Sequence, residues 1–309
     1  MLKYMLKRIV AAIPTLLILI TLSFFMMRVA PGGPFDSEKE LPAEIQASIA
    51  AKYHMDESLG RQYLRYMGNI LQGDFGPSFQ YKDFSVIELI AKGFPVSLKI
   101  GGVALLFALL MGITLGTIAA VYKNSWPDYL LMSTAMTGIS IPNFVIAPLL
   151  ILLFAVYNNW LPAGGWGDGH WPYLILPVLA LSLRYIAYIA RLMRGSMIET
   201  LASDYIRTAK AKGLSLFQVV FKHALKPALL PVVSYLGPAA AGILTGSVVI
   251  EKIFAVPGLG RYFVQGALNR DYTLVMGVII FVGVLVVLFN LIVDMLYALL
   301  DPKIRLQGK

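Results

Sequence analysis

The stretch SDYIRTAKAKGLSLFQVVFKHALKP, residues 203–227, decides how the rest of the chain is read. Ser203 or Asp204 can cap a short helix running from Tyr205 to Lys212, with Lys210 and Lys212 near its negative dipole end and Gly213 suited to a left-handed stop. Ser215 and Gln218 then have the spacing of a capping box. Leu216, Phe217, Val219, Val220 and Phe221 give a second helix a strongly apolar surface until Pro227 interrupts it. Helix, glycine hinge, helix is a rigid elbow. With lysines on one part and large apolar side chains on another, it either folds its apolar face back onto the chain or inserts it into a partner's groove.

The sequence on both sides of the elbow is apolar. Of 309 residues, 58% are hydrophobic and 14% charged, and the mean hydropathy is +0.73, whereas soluble domains carry about 25% charged residues. The excess has to face lipid. A bilayer crossing needs about 20 mainly apolar residues, and six stretches supply them: Ile9 to Val29, Val96 to Val121, Tyr129 to Val156, Tyr173 to Met193, Leu229 to Ile250 and Leu274 to Leu299. The expected fold is an all-α polytopic membrane protein with six transmembrane helices. Its expected parts are a cytoplasmic end and first helix (1–30), an external helical loop (31–94), a core of five helices (95–302) holding the elbow loop (194–228), and a short tail (303–309).

Charge sets the orientation. Lys and Arg number 26 against 17 Asp and Glu, a formal +9, but they are not gathered into a nucleic-acid patch. Lys3, Lys7 and Arg8 precede the first span, whose apolar run is longer than a secretory core and lacks a small-residue cleavage site, so it reads as a retained anchor. The positive-inside rule places this end in the cytoplasm, and six crossings bring Lys303, Arg305 and Lys309 to the same side. Arg191, Arg194, Arg207, Lys210, Lys212, Lys222 and Lys226 cluster between spans four and five, while residues 157–172 hold no Lys or Arg. Lys252, Arg261 and Arg270, on the expected outside, are a modest exception. With no cysteine, thiol chemistry and disulfides are excluded, and His54, His170 and His223 are too scattered for a local metal motif.

In the first external loop, Ile45, Ile49, Tyr53, Tyr63, Tyr66, Met67 and Ile70 recur at helical spacing within Ala43 to Leu71. That helix is either a packed lid over the span ends or a docking surface. Gly73, Gly76 and Pro77 punctuate the chain before a further helical stretch, Asp83 to Lys92.

The elbow resembles the signature loop of ABC-importer permeases, in which a glycine turn between two short helices docks in a cleft of an ATPase subunit. The matching residues are Tyr205 to Leu214, followed by His223-Ala-Leu-Lys-Pro227. Where the general pattern begins Glu-Ala-Ala, this chain has Arg207, Thr208 and Ala209, and its proline falls one residue late; both departures resemble the peptide-transporting branch. So do Glu251-Lys-Ile-Phe254 with Pro257-Gly-Leu-Gly260, Asn269-Arg-Asp-Tyr272, Asn290 through Asp294 to Asp301-Pro302, and Gly73-Asp-Phe-Gly76. The opening Met1-Leu-Lys-Tyr and Ser23 to Arg28 followed by Ala30-Pro-Gly are similar to the OppB-type subunit of oligopeptide importers.

That resemblance implies a permease half-pore in a bacterial inner membrane. Its implied partners are a second, OppC-like permease, two cytoplasmic ATPase subunits of the OppD/OppF type that use ATP and Mg, an extracytoplasmic peptide-binding protein, and the peptide. Tyr205, Arg207, Thr208, Ala209, Lys210, Lys212, Gly213, Leu214 and Phe217 would couple to the ATPase. A dipeptide, nickel or antimicrobial-peptide permease of the same branch is the alternative.

No Gly-x-x-x-x-Gly-Lys-Ser/Thr element for cradling phosphates occurs. An ion-coupled carrier would show intramembrane acids or repeated halves, and the clear intraspan acid, Asp294, sits late in the last span. Asn290, Asp294, Tyr297 and Asp301 share one helical stripe that should avoid lipid, facing either a neighbouring helix or the transport path. The same two readings hold for Thr137, Ser140 and Asn143 around Pro142, and for Ser182, Tyr185 and Tyr188. Gly112-x-x-x-Gly116 and Gly242-x-x-x-Gly246 permit close helix contact, within the chain or with a second permease. The turn holding Pro257, Gly258 and Gly260 is either a surface turn or an external gate tucked into the bundle.

Overall fold

The computed structural model describes residues 2–29, 56–81 and 83–300. Among them no β-strand occurs, only an isolated bridge between Pro77 and Ser85. The helices are α1 (Leu2–Val29), α2 (Leu59–Leu71), α3 (Val86–Val121), α4 (Trp126–Ser140), α5 (Asn143–Leu150), α6 (Trp171–Leu201), α7 (Asp204–Ala211), α8 (Leu216–Gln218), α9 (Leu225–Ala228), α10 (Leu230–Ile253), α11 (Leu259–Leu268) and α12 (Tyr272–Leu300). Ile45, Ile49, Tyr53, Asp301 and the basic tail lie outside the described residues.

Five helices are long and apolar enough to cross a bilayer, over Arg8–Val29, Val86–Val121, Trp171–Leu201, Leu230–Ile253 and Tyr272–Tyr297. The third expected span is not one straight helix. It is the pair α4 and α5 with its π-helical continuation to Tyr157, bent by 106°. The cause is local: Pro142 has no N–H to donate and forces the preceding Ile141 into extended backbone, φ −99° and ψ 123°. The pair still joins opposite ends of the bundle. Asp128, at the start of α4, is bonded to Arg194 near the end of α6, while Gly165, beyond α5, donates its N–H to Phe254 O at 2.7 Å.

One end of the bundle gathers residues 73–81, the start of α6, and the 254–271 segment. Thr273 Oγ1 donates to Pro77 O (2.6 Å), and Lys99 Nζ donates to Gly169 O (2.8 Å) while lying over the Trp166 ring. The other end carries α7 to α9. There too, Arg8 of α1 pairs with Asp294 of α12 at 3.2 Å.

The helical stretch expected over Asp83 to Lys92 begins at Val86 and runs on into the second span as α3. Its start is fixed by a capping box in which Ser85 and Glu88 exchange side-chain and backbone bonds, and it then runs unbroken through Pro95. Helix α2 lies across the end of α1: Tyr63 OH bonds Thr21 Oγ1 at 2.8 Å, and the Tyr63 and Tyr66 rings pack on Phe24. Burial pushes the Tyr66 hydroxyl pKa up, so it stays neutral. The opposite face of α2 leaves Leu59, Leu64 and Leu71 exposed.

The tightest helix contact joins α3 to α6. A Cβ on Gly112 would lie 2.7 Å from Ile189 Cβ, and one on Gly116 would be 2.7 Å from Met193 Cβ and against the Ala190 carbonyl. Gly242 lies under the Tyr185 hydroxyl. The described glycines of both small-residue motifs therefore bring helices of this chain together, rather than presenting a bare dimer face.

Candidate functional site

The elbow at residues 203–228 is built as two unequal faces. Ser203 occupies the N-cap position of α7, but its hydroxyl donates to Thr200 O (2.6 Å) and closes the preceding helix. Gly213 terminates α7 with φ +81°, and its N–H reaches Lys210 O at 3.0 Å. Ser215 and Gln218 form the expected capping box. The second arm is not a uniform α-helix: between α8 and α9, residues Val219–Ala224 widen into π geometry. Pro227 cannot donate to the carbonyl one turn back, which favours this slip in the ladder.

The inward face, Ile206, Ala209, Val219 and Val220, is buried in the main apolar core, with Leu214 packed against it. The outward face exposes Tyr205, Leu216, Phe217 and Phe221, and the two phenylalanine rings lie 4.4 Å apart by centroid. Arg207, Thr208, Lys210, Lys212 and Gly213 are exposed beside them. Thus part of the elbow's apolar surface folds back onto the chain, and part is left exposed. Of the nine expected coupling residues, Ala209 is inside and Leu214 half-buried; the other seven are on the surface.

At the opposite end, the segment holding Pro257, Gly258 and Gly260 is tucked into the bundle. Glu251, fully buried, accepts the Gly260 N–H at 2.8 Å, while the Leu259 N–H donates to Ser97 Oγ at 2.7 Å. The carboxylate thus serves the first turn of α11, where N–H groups lack helical partners. Glycine is required twice by space: a Cβ at Gly258 would strike the Glu251 carboxylate, and one at Gly260 would be 2.5 Å from Val248 Cα. Nearby, buried Asp271 accepts from Ser78 Oγ, from the Gln80 N–H (3.0 Å) and from the Leu274 N–H (3.1 Å). The segment just after Gly73–Gly76 and the Asn269–Tyr272 motif, distant in sequence, therefore meet around one carboxylate.

A groove of about 620 Å³ runs between α4 and α6, lined by Met132, Ser133, Met136, Thr137, Ser140 and Arg191 along its length and by the Asp128–Arg194 pair at one end. Thr137 Oγ1 donates to Thr134 O and Ser140 Oγ to Met136 O, so each hydroxyl keeps its lone pairs for a donor in the groove. Asn143 starts α5 just beyond the kink. Tyr188 stacks on Tyr235 of α10 with centroids 5.6 Å apart. The remaining expected path residues hold helices: Ser182 is buried and donates to Leu179 O, Tyr185 covers Gly242, Asn290 lies on Gly237, and Asp294 pairs with Arg8.

The sequence reading missed Asp128. It is 1% exposed and takes two 2.6 Å bonds from Arg194, plus the Asn124 N–H at 2.9 Å. Its signal was its place in the first turn of a helix entering the membrane, opposite an arginine counted only as a loop charge. Arg184, midway along α6, was missed because only intramembrane acids were weighed. Among the described residues, no group of three or more His, Asp or Glu is placed to hold a metal.

A bundle of up to six crossings, with an elbow packed on one side and exposed on the other and a mainly apolar groove between two of its helices, is a membrane-spanning subunit of a transporter. The chain belongs to the family of binding-protein-dependent transport system inner membrane components: residues 112–306 match that family's model, and residues 1–101 match the corresponding N-terminal model. It is accordingly a multi-pass inner-membrane protein. It is 60% identical to the oligopeptide transport system permease protein OppB of Haemophilus influenzae, covering 99% of this chain and 100% of that one. It is 57% identical to OppB of Escherichia coli K12 over the same shares. The dipeptide transport system permease protein DppB of Bacillus subtilis is 47% identical over the whole of both chains. In fold, a chain of the inward-facing MetNI methionine ABC transporter superposes with TM-score 0.57 at 19% identity, covering 70% of this chain and 97% of that one.

Proposed function

We propose that this chain forms half of the translocation path of an oligopeptide ABC importer. A second, OppC-like permease supplies the other half, and a peptide-binding protein delivers cargo to the end bearing the 73–81 and 254–271 segments. Two OppD/OppF-like ATPases, which bind the ATP and Mg, act on the elbow. Both chain termini then lie on the cytoplasmic side. The observation that carries this reading is the division of the elbow: Ile206 and Val219 anchor it in the core while Tyr205, Phe217 and Phe221 stand exposed together. An arm welded to α6 and α10 on one side, with an apolar knob on the other, transmits a push applied to the knob.

In this scheme Tyr205, Arg207, Thr208, Lys210, Lys212 and Phe217 meet the ATPase, whereas Ala209, Gly213 and Leu214 hold the elbow's shape. The Pro257–Gly260 segment acts as the outer gate, and Thr137, Ser140, Asn143 and Tyr188 flank the path. The 47% identity to DppB makes dipeptides the second reading of the cargo.

The test is uptake by the complete, reconstituted assembly. Gly213 is surrounded by open space, and a Cβ added there would meet nothing within 4 Å, so Gly213→Val strains only the left-handed backbone, by about 1–2 kcal/mol. Peptide taken up per ATP hydrolysed should fall at least about fivefold. Unchanged coupling in that variant, or peptide flux through the purified chain with no other subunit, would refute the proposal.

A further inference from the structure

Helix α6 buries Leu181, Ser182, Tyr185, Ile186, Ile189, Ala190, Met193 and Met197 against the rest of the chain. It leaves the stripe Arg184, Tyr188, Arg191 and Gly195 half-buried or exposed. These residues are spaced by four, three and four, so they lie along one face. Arg184 is 13 residues into α6, about 20 Å from its start, and Arg191 is about 10 Å further on. With a hydrocarbon layer about 30 Å thick, Arg184 falls within it.

An arginine there cannot face lipid without a cost of several kcal/mol, so this stripe borders water or another protein. Among the described residues, no carboxylate pairs with Arg184 or Arg191. The acid of the groove, Asp128, is already held by Arg194 and the Asn124 N–H. The groove is therefore left cationic. Arg191 is on the groove wall, and Arg184 precedes it by seven residues on the same face of α6 with an aromatic step between them: the Arg191 guanidinium lies 5.0 Å from the Tyr188 ring centroid, and Tyr188 stacks on Tyr235. The guanidinium fork matches a carboxylate, and the rings offer a flat surface to peptide planes.

We infer that Arg184 and Arg191, spaced by Tyr188 and backed by Tyr235, form a carboxylate-binding subsite that selects and guides the acidic group of a passing peptide. The inference rests on the importer reading above. Two sites about 10 Å apart let a carboxylate be handed from one guanidinium to the next, so neither has to bind tightly enough to trap it.

The chain contains no cysteine, so Arg184→Cys in an assembly with cysteine-free partners can be modified at that one position. Uptake is measured with the binding protein saturated by trialanine, trialanine amide, or Ala-Glu-Ala amide. In the variant, trialanine uptake should fall at least about tenfold, the loss of one charge-assisted hydrogen bond, while trialanine amide stays within about twofold. Aminoethyl methanethiosulfonate, which restores a cation, should recover trialanine uptake; methyl methanethiosulfonate, which does not, should fail to. Ala-Glu-Ala amide reports which carboxylate is read: a loss like that of trialanine means any carboxylate, and no loss means the C-terminal one.

Equal losses for all three peptides, no loss, recovery with the neutral reagent, or a cysteine unreactive to water-soluble reagents would each overturn the inference. Equal losses are also the result expected if Arg184 pairs with an acid of the second permease. Should the unmodified assembly import no peptide at all, it is the importer reading that fails, a result distinct from these.

Discussion

Replacing Arg194 by alanine removes the partner of the most completely buried carboxylate at the α4–α6 contact. Asp128 is 1% exposed and takes two bonds of 2.6 Å from one guanidinium. Two charge-assisted bonds at about 1.5–3 kcal/mol each give a range of about 3–6 kcal/mol, in line with the roughly 3–5 kcal/mol typical when one member of a buried pair is deleted. Two features favour the low end. The Asn124 N–H stays with the carboxylate at 2.9 Å, and Asp128 is in the first turn of its helix, close to interfacial water. The expected loss is therefore about 3 kcal/mol.

The measurement is thermal or denaturant unfolding in lipid nanodiscs, run as a double-mutant cycle with Arg194→Ala, Asp128→Asn and the pair Asp128→Asn/Arg194→Ala. The double variant should recover much of the loss, because the stranded charge is gone. If Arg194→Ala costs under about 1 kcal/mol, or if the double variant is worse than the single one, the pair does not hold α4 to α6 as argued.

Gly116 and Gly102 lie on the same helix but differ in surroundings. A Cβ at Gly116 meets the α6 backbone, whereas one at Gly102 meets nothing within 4 Å. Gly116→Leu should destabilise the protein by about 1–3 kcal/mol or block its assembly, while Gly102→Leu leaves the unfolding midpoint nearly unchanged; equal shifts would contradict the packing described. Phe217 is 69% exposed, so Phe217→Ser should leave stability within about 0.5 kcal/mol of the parent. Co-purification with the ATPase subunits should nevertheless drop sharply, and retention of the complex would count against the outward face as the docking knob.

The crossings were legible because hydrocarbon imposes one requirement on composition and length, and the sequence meets it six times. The elbow was legible for a different reason. Capping and the left-handed glycine are local rules, so Gly213 and the Ser215–Gln218 box could be read without knowing what surrounds them. What escaped was relational. Nothing near Asp128 announces Arg194, 66 residues later, nor do Ser78 and Gln80 announce Asp271.

The kink at Pro142 illustrates a weaker failure. Apolar continuity on both sides of Pro142 marks a span from Tyr129 to Val156 but does not give the 106° bend within it. Ala209 shows the converse limit: a family motif marks a residue as belonging to the elbow without saying which way its side chain faces. The structure sorts its neighbours by burial instead.

The Asp271 carboxylate ties Ser78 and Gln80 to the beginning of the final helix across 193 and 191 positions, and Arg8 closes a still wider circuit with Asp294. As the ribosome releases the chain from its first residue to its last, the earliest helix and the strap behind it emerge long before their mates. Their contacts with the final helix cannot form until that last hydrophobic segment arrives. Final closure of the molecule is thus deferred to the end of synthesis. A polypeptide halted before residue 271 would keep its earlier helices but leave Ser78 and Gln80 without the carboxylate that ties them to the final one.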